Sequence, residues 1–356
     1  MSERIIALDA FGSDNCPDVE VEAAVIAARA GHSIILVGDQ PILERSLGRF
    51  DGISRLPLRI HHASETIVMD DSPAKAVRGK PDASMPVCFD LVRRGEANAV
   101  ISAGNSGAML ACGLFKFGRI KGVDRPAIVN NVPGPRGSCA LLDMGANVEC
   151  KPLNLVQFAV MGAAFATCTQ GKARPRVGVL ANGSEEGKGT DLTRAAHRLL
   201  REGPSAAFSY VGYVEGKDLF SAEVDVVVTD GFTGNIALKV LEGTARALVD
   251  FLRDAIRGSR MSKLGALLMR PAFKVLKQRV DPDSYGGAPL LGVQGITIIC
   301  HGGATPRAMV NAVRLTDSYL KQGLTPGLCE AISAHTDLFV AAKAAESDPR
   351  KTSESS

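Results

Sequence analysis

The sequence predicts a three-layer α/β/α sandwich built on a mostly parallel sheet. Three observations lead there. Short β-branched runs alternate with helix-length patterns almost from end to end. Several of those runs are apolar throughout, as strands covered on both faces must be. Polar, glycine-rich turns follow the strand ends, in a chain with 37 glycines and no tryptophan.

The expected strands are Arg4–Asp9, Ser33–Val37, Leu58–His62, Ala99–Ser102, Ala127–Val132, Cys139–Met144, Arg176–Ala181, Ala207–Val211, Val224–Thr229 and Gly295–Cys300. Helical patterns fill Asp18–Ala30, Pro81–Gly95, Ser106–Arg119, Pro152–Thr169, Gly189–Arg201, Asn235–Arg257 and Thr305–Gln322. Pro152–Gly171 carries no charge and is long enough to cross a bilayer. Asn154, Gln157, Thr167, Thr169 and Gln170 mark it instead as a core helix. Residues 1–324 are expected to form one catalytic domain. Residues 325–356 read as a C-terminal extension, helical and then disordered over Glu346–Ser356.

Composition narrows the function. At 46% hydrophobic and 22% charged, the 356 residues suit an ordinary globular enzyme. A net charge of +3 with 5% aromatics excludes a nucleic-acid binder, which needs a basic face and stacking rings. The eight cysteines form no CxxC pair, and six lie in apolar segments where a thiol acts as a small hydrophobe. Met1–Ala10 carries Glu3, Arg4 and Asp9, unlike a secretion signal, so a reducing cytoplasm is the expected compartment. No clustered His, Cys or Asp set offers a metal site, and the sequence predicts neither metal nor cofactor.

Six strand-end loops carry the polar chemistry: Asp9–Asp14, Ser102–Gly107, Asp143–Asn147, Asn182–Gly189, Asp230–Asn235 and His301–Gly303. Ligands of open α/β sheets bind beyond the carboxyl ends of the strands, so six such loops predict one large polar crevice. Asn182–Thr190 resembles a P-loop but leaves three residues between Gly183 and Gly187 where the motif needs four. Glu185 and Glu186 would also repel a polyphosphate. What remains is either a one-anion site around Lys188 at a helix start or a solvated turn. Gly104–Ala108 approaches a nucleophile elbow, and Ser106, Asp143 and His301 could be drawn as a triad. Asn105 and Ser106 are equally natural helix caps, which is the simpler reading.

Taken in order, the segments resemble the PlsX-type phosphate acyltransferases of bacterial phospholipid synthesis. They are Asp9–Asp14, Val37–Asp39, His62–Ser64, Ser102–Gly107, Gly118–Ala127, Leu142–Asn147 with Cys150–Pro152, Glu185–Gly189, Gly212–Gly216, Asp230–Asn235, Ser262–Leu268, Tyr285–Gly292 and Ala308–Ala312. Together they cover residues 4–322. Departures are Ser13 for a usual glycine, Gly303-Ala304 for usual hydroxyl residues, and the loop Gly134-Pro-Arg136. None removes a charged or amide group from the expected crevice.

The resemblance implies transfer of a fatty acyl group from acyl carrier protein to inorganic phosphate, giving acyl phosphate for glycerol-3-phosphate acylation. It also implies a homodimer with a fold similar to phosphotransacetylases and the isocitrate/isopropylmalate dehydrogenases. That chemistry needs no covalent nucleophile, because a thioester is activated and phosphate is already anionic. On this reading Lys188, Asn235 and His301 are the catalytic groups, with Lys188 as the cation at phosphate or oxyanion. Asp9, Gly12, Asn105, Ser106, Asn147, Glu185, Asp230 and Gly234 line the substrate site. The alternatives are a CoA-dependent phosphotransacylase and a non-catalytic membrane scaffold for lipid-synthesis enzymes. A decarboxylating dehydrogenase lacks its clustered aspartates here.

Two surface features concern partners. Arg119, Lys121 and Arg125 are candidates for docking acidic carrier protein, or else anchor their own loop. Ala255–Val280 holds seven basic residues and no acid. Within it Met261, Leu264, Leu267 and Leu268 recur at helical spacing, followed by Phe273, Leu276 and Val280. The segment 259–280 therefore reads as a projecting amphipathic hairpin. It would touch the inner face of the cell membrane reversibly, near a membrane glycerol-3-phosphate acyltransferase.

Overall fold

Eleven strands in a single sheet carry the chain. The structure, a computed structural model, describes residues 4–203, 205–280, 283 and 286–347. The strands are β1 (Ile5–Asp9), β2 (Ser33–Gly38), β3 (Leu58–His62), β4 (Ala99–Ser102), β5 (Ala127–Gly134) and β6 (Gly137–Leu142). They continue with β7 (Arg176–Leu180), β8 (Ser209–Val214), β9 (Val226–Val228), β10 (Ala288–Leu291) and β11 (Ile296–Ile299). Their order across the sheet is β3-β2-β1-β4-β11-β10-β5-β6-β9-β7-β8.

The helices are α1 (Asp18–Arg29), α2 (Gln40–Leu47), α3 (Pro73–Gly79), α4 (Ser84–Arg93), α5 (Ser106–Cys112), α6 (Pro152–Gln170) and α7 (Asp191–Glu202). Then come α8 (Gly231–Arg257), α9 (Arg260–Leu268), α10 (Arg270–Val280), α11 (Pro306–Gln322), α12 (Leu324–Ala334) and α13 (Thr336–Ser347). The expected α/β/α architecture is present. Alternate strand residues feed two layers: Ile6 and Leu8 of β1 join one core with α1, α6 and α11, while Ala7 joins the other with α4 and α5. α6, apolar enough to span a membrane, is mostly buried in the first layer.

Several elements were not expected. β10 is four residues, Ala-Pro-Leu-Leu, too short and proline-marked to read as a strand. It gains its place by pairing with β11 and β5. α2 is eight residues, capped by Asp39, whose carboxylate accepts the Ile42 N–H at 3.1 Å. α3 is shorter still. α12 and α13, in the segment expected to be a helical extension, follow α11 through Gly323, at φ +68, and pack on α6. They bury Leu328, Ile332, Phe339 and Ala342. Of Glu346–Ser356, expected to be disordered, Glu346 and Ser347 end α13, and residues 348–356 lie outside the described residues.

Strand direction governs where the site can form. β3, β2, β1, β4 and β11 are mutually parallel, as are β6, β9, β7 and β8. Between the groups, β11–β10, β10–β5 and β5–β6 all pair antiparallel. Three reversals leave the two parallel groups pointing in opposite directions.

One buried acid has a measurable consequence. Glu20 of α1 is fully buried; its Oε1 accepts the Ser13 N–H at 3.0 Å and its Oε2 has no partner. Burial pushes its carboxyl up to about 7. The folded state therefore favours the proton, so this contribution is full below the ordinary carboxylate range. It is lost as pH rises through about 7. Glu20→Gln is expected to flatten that decline and to be more stable than wild type at pH 8 by about 2–3 kcal/mol. Urea unfolding of both proteins at pH 5 and pH 8 checks this; equal differences at both values would refute it.

Candidate active site

At the carboxyl end of β6, the carboxylate of Asp143 organises the loops around it. Its side chain is fully buried. Oδ1 accepts the N–H groups of Ile128 and Ala146, both at 3.0 Å. Oδ2 accepts the backbone N–H of Asn147 at 2.7 Å and its side-chain amide at 2.8 Å. Burial raises the pKa of this carboxyl, against the pull of these hydrogen bonds. Asn147 is buried too, and its amide also donates to the Pro126 carbonyl at 2.7 Å. It joins loop 118–126 to the Asp143 turn and has no amide N–H free for a ligand.

This turn fixes the start of α8. The Gly231 N–H donates to the Asn147 carbonyl at 2.7 Å. A side chain at Gly234 would collide with the Asp143 carbonyl oxygen, so only glycine permits the approach. Asp230 caps the helix, accepting from the Thr233 N–H and hydroxyl at 2.8 Å each. Both its oxygens thereby have partners. Asn235, one turn on, is exposed, with no hydrogen-bond partner for its side chain among the described residues.

Beyond the neighbouring strand β7 lies the loop with Lys188. Asn182 accepts the Gly189 N–H at 2.9 Å, and Glu186 pairs with Arg201. Lys188 and Glu185 are exposed, and neither has an ion-pair partner among the described residues. Thr190 caps α7 through the Thr193 N–H at 3.3 Å. Because β6, β9 and β7 are adjacent and parallel, the loops of Asn147, Asn235 and Lys188 share one edge of the sheet.

The remaining predicted residues stand at the other edge. Asp9 is buried and accepts the Ser102 hydroxyl at 2.6 Å and the Phe11 N–H at 3.2 Å. Gly12 is packed where a Cβ would sit 2.7 Å from the Gly104 nitrogen. Asn105 caps α5 through Ala108 N–H at 3.0 Å, and its amide donates to the Met69 and Asp71 carbonyls. Ser106 and His301 are exposed; His301 Nδ1 accepts the Gly303 N–H at 3.0 Å, which leaves Nε2 outward. The Asp14 N–H ties this loop to the Gly302 carbonyl at 2.8 Å.

Two expectations need correction. The six loops do not form one crevice within a chain, because the three antiparallel pairings send the strand ends to opposite edges. Nor can Ser106, Asp143 and His301 make a triad: Asp143 is buried, with both oxygens engaged, at the edge away from the other two. Asp9, Asn105 and Asn147 are buried and hydrogen-bonded to neighbouring backbone and side chains, and so hold their loops in place. Sequence reading missed Asp143 as the organiser, although an Asp ending a strand four residues before Asn is the pattern of such a turn. Arg119 donates to the Asp124 carbonyl at 2.6 Å and so anchors its loop, whereas Lys121 and Arg125 are exposed.

The strands and their flanking helices define an α/β/α fold with polar loops at both edges of one sheet. The fold is similar to a phosphotransacetylase from Streptococcus pyogenes, with TM-score 0.56 and 14% identity over 93% of this chain and 94% of that one. It is similar also to the EutD phosphotransacetylase of Staphylococcus aureus, with TM-score 0.53 and 17% identity over 89% and 94%. A 4-hydroxythreonine-4-phosphate dehydrogenase from Salmonella typhimurium has TM-score 0.54, with 12% identity over 89% and 99%. These likenesses concern the fold alone.

Sequence gives the family. Residues 5–326 match the family described as fatty acid synthesis protein. The chain is 52% identical over 330 residues to the phosphate acyltransferase of Syntrophotalea carbinolica, covering 92% of this chain and 94% of that one. It is 48% identical over 336 residues to that of Geobacter sulfurreducens, covering 94% and 96%. The chain belongs to this phosphate acyltransferase family, and it is an acyltransferase.

Proposed function

We propose that the enzyme transfers a fatty acyl group from acyl carrier protein to inorganic phosphate, supplying acyl phosphate for glycerol-3-phosphate acylation in phospholipid synthesis. The observation that carries this is the edge holding Lys188 and Asn235, both exposed and without side-chain partners among the described residues, Asn235 lying near the amino end of α8. An ammonium, an amide and a helix amino terminus together favour a small anion. Asp230 opposes it, but its oxygens already face Thr233. Lys121 and Arg125, on the loop that Asn147 ties to this edge, offer acidic carrier protein a basic approach.

The reaction follows from those groups. An oxygen of hydrogen phosphate attacks the thioester carbonyl carbon, and the carbon–sulfur bond breaks as the tetrahedral intermediate collapses. The electron pair leaves on sulfur, and the proton of hydrogen phosphate ends on that thiolate. Lys188 holds the phosphate and Asn235 donates to the developing oxyanion, so no residue needs to become acylated. His301, at the other edge, serves orientation of the acyl donor rather than binding of phosphate.

The assembly is a homodimer, cytoplasmic and reversibly attached to the inner face of the cell membrane. α8 supports the dimer, since Phe232, Ile236, Val240, Leu248 and Phe251 are exposed along one of its faces. The α9–α10 hairpin supports the attachment. Met261 is 79% exposed and Leu268 76%, with Leu264 and Leu267 also exposed. Leu276 and Val280, assigned to the same apolar surface, lie outside the residues whose side chains are described. Seven basic residues at no more than about 1 kcal/mol each, with a few buried leucines, give peripheral attachment rather than insertion. Release there delivers a water-sensitive product to a membrane acyltransferase.

Lys188→Ala and Asn235→Ala are each expected to lower turnover about a hundredfold to a thousandfold with folding intact. The assay is formation of acyl phosphate from labelled phosphate and acyl carrier protein, with acyl-CoA as the competing donor. Near-normal turnover in both variants would remove the site from this edge, and preference for acyl-CoA would replace the donor. For the membrane, wild type is expected to float with anionic vesicles, while Leu267→Glu/Leu268→Glu stays soluble and active. A double variant that floats like wild type, or dissociates into monomers, would contradict the anchor.

A further inference from the structure

The face of α8 turned away from its exposed apolar stripe borders a cavity of about 800 Å³. At 3.6 residues per turn, Ala245, Val249, Leu252 and Ile256 lie roughly opposite Ile236, Val240 and Phe251. Of these lining residues, Val249 and Leu252 remain exposed. Phe273 of α10 closes it toward the hairpin, and His301, Gly303, Ala304 and Ala308 form the facing wall. Its volume falls within the ~300–1,000 Å³ usual for small-molecule sites.

Length and polarity narrow the occupant. The lining runs along α8 from Glu242 to Arg257, roughly 22 Å at 1.5 Å per residue. One leaflet of a bilayer, and so one lipid acyl chain, measures about 15 Å, half of a ~30 Å hydrocarbon core. Apolar groups concentrate toward the hairpin end, at Leu252, Ile256 and Phe273. Of the three lining acids, Glu242 pairs with Lys239, Asp250 with Arg253, and Asp283 accepts the Thr305 hydroxyl at 2.7 Å. Arg246 and Arg257 also face the cavity, and neither has an ion-pair partner among the described residues. An apolar slot with Arg246 toward its amino-terminal end and Arg257 at the hairpin end fits an alkyl chain whose anionic group lies on the Arg246 side.

We infer that this cavity holds the fatty acyl chain of donor and product, with its methyl end toward Phe273 and its carbonyl end toward the amino terminus of α8. The inference rests on the acyltransfer reading above and adds the tail site that such a substrate requires. It also explains how the two separated edges serve one substrate. The cavity begins seven residues beyond Asn235 on α8 and reaches the His301 loop of the opposite edge.

Two measurements on the full-length enzyme test it. In the first, palmitic acid carrying a diazirine near its methyl end is photolysed with the enzyme, and the labelled peptides are sequenced. Label is expected on Leu252, Ile256 and Phe273, and competition by unmodified palmitate should remove it. Label confined to the exposed hairpin residues 261–269, or spread without competition, would overturn the inference. In the second, Leu252→Trp and Ile256→Trp shorten the slot. The ratio of kcat/KM for sixteen-carbon over eight-carbon donors is expected to fall at least tenfold, with unchanged thermal unfolding. An unchanged ratio would overturn the tail site while leaving acyltransfer intact. A wild type that makes no acyl phosphate would instead defeat the functional reading, and the labelling result would still decide the cavity.

Discussion

Everything at the proposed phosphate edge depends on the buried carboxylate of Asp143. Four N–H donors converge on its two oxygens, from the start of β5, the turn that follows β6, and the Asn147 side chain. Inside the protein such a group is tolerable only when fully partnered, and losing the carboxylate would strand donors at about 1–3 kcal/mol each. The same turn receives Gly231 and is touched by Gly234, so the direction of α8 is set by the position of Asp143. Asn235 is exposed on that helix, with no competing side-chain partner among the described residues. Rigidity below and freedom above are what a preorganised anion site requires.

The second constraint is topological. Antiparallel pairing around β10 and β5 turns the two parallel groups in opposite directions, and α8 is the longest of the described helices. At about 40 Å for 27 residues, it carries Asn235 at one end and borders the His301 loop farther along. In the proposed reading its apolar residues divide between contact with a second copy and the cavity lining. A helix with only Gly231 and Gly234 buried would otherwise expose an unusual amount of apolar surface.

Much of this was legible in the sequence, and the gaps have physical causes. The ten expected strands are all present, because apolar β-branched runs between glycine-rich turns have few other solutions. Asn105 read as a cap and is one. Strand direction was not legible, since Ala288–Leu291 carries no periodic signal and its pairing is decided by distant partners. The assumption that six loops share one edge failed for that reason alone. That Asp9, Asn105 and Asn147 lock their loops was not legible, because an unpaired polar residue and one that locks a loop are written with the same letters. Burial separates them, and burial is a property of the fold. Lys188 and Asn235 kept their place as candidates by remaining exposed.

The central claim is that phosphate itself attacks the thioester, with no acylated residue between. The eight cysteines and the candidate Ser106 give a test its edge, because any of them acting as nucleophile would allow acyl transfer between thiols without phosphate. The direct measurement is exchange of label between free carrier protein and acyl carrier protein, with and without phosphate. The account predicts no exchange in phosphate-free buffer and exchange once phosphate is added, through reversal of acyl phosphate formation. Exchange that proceeds without phosphate would contradict it.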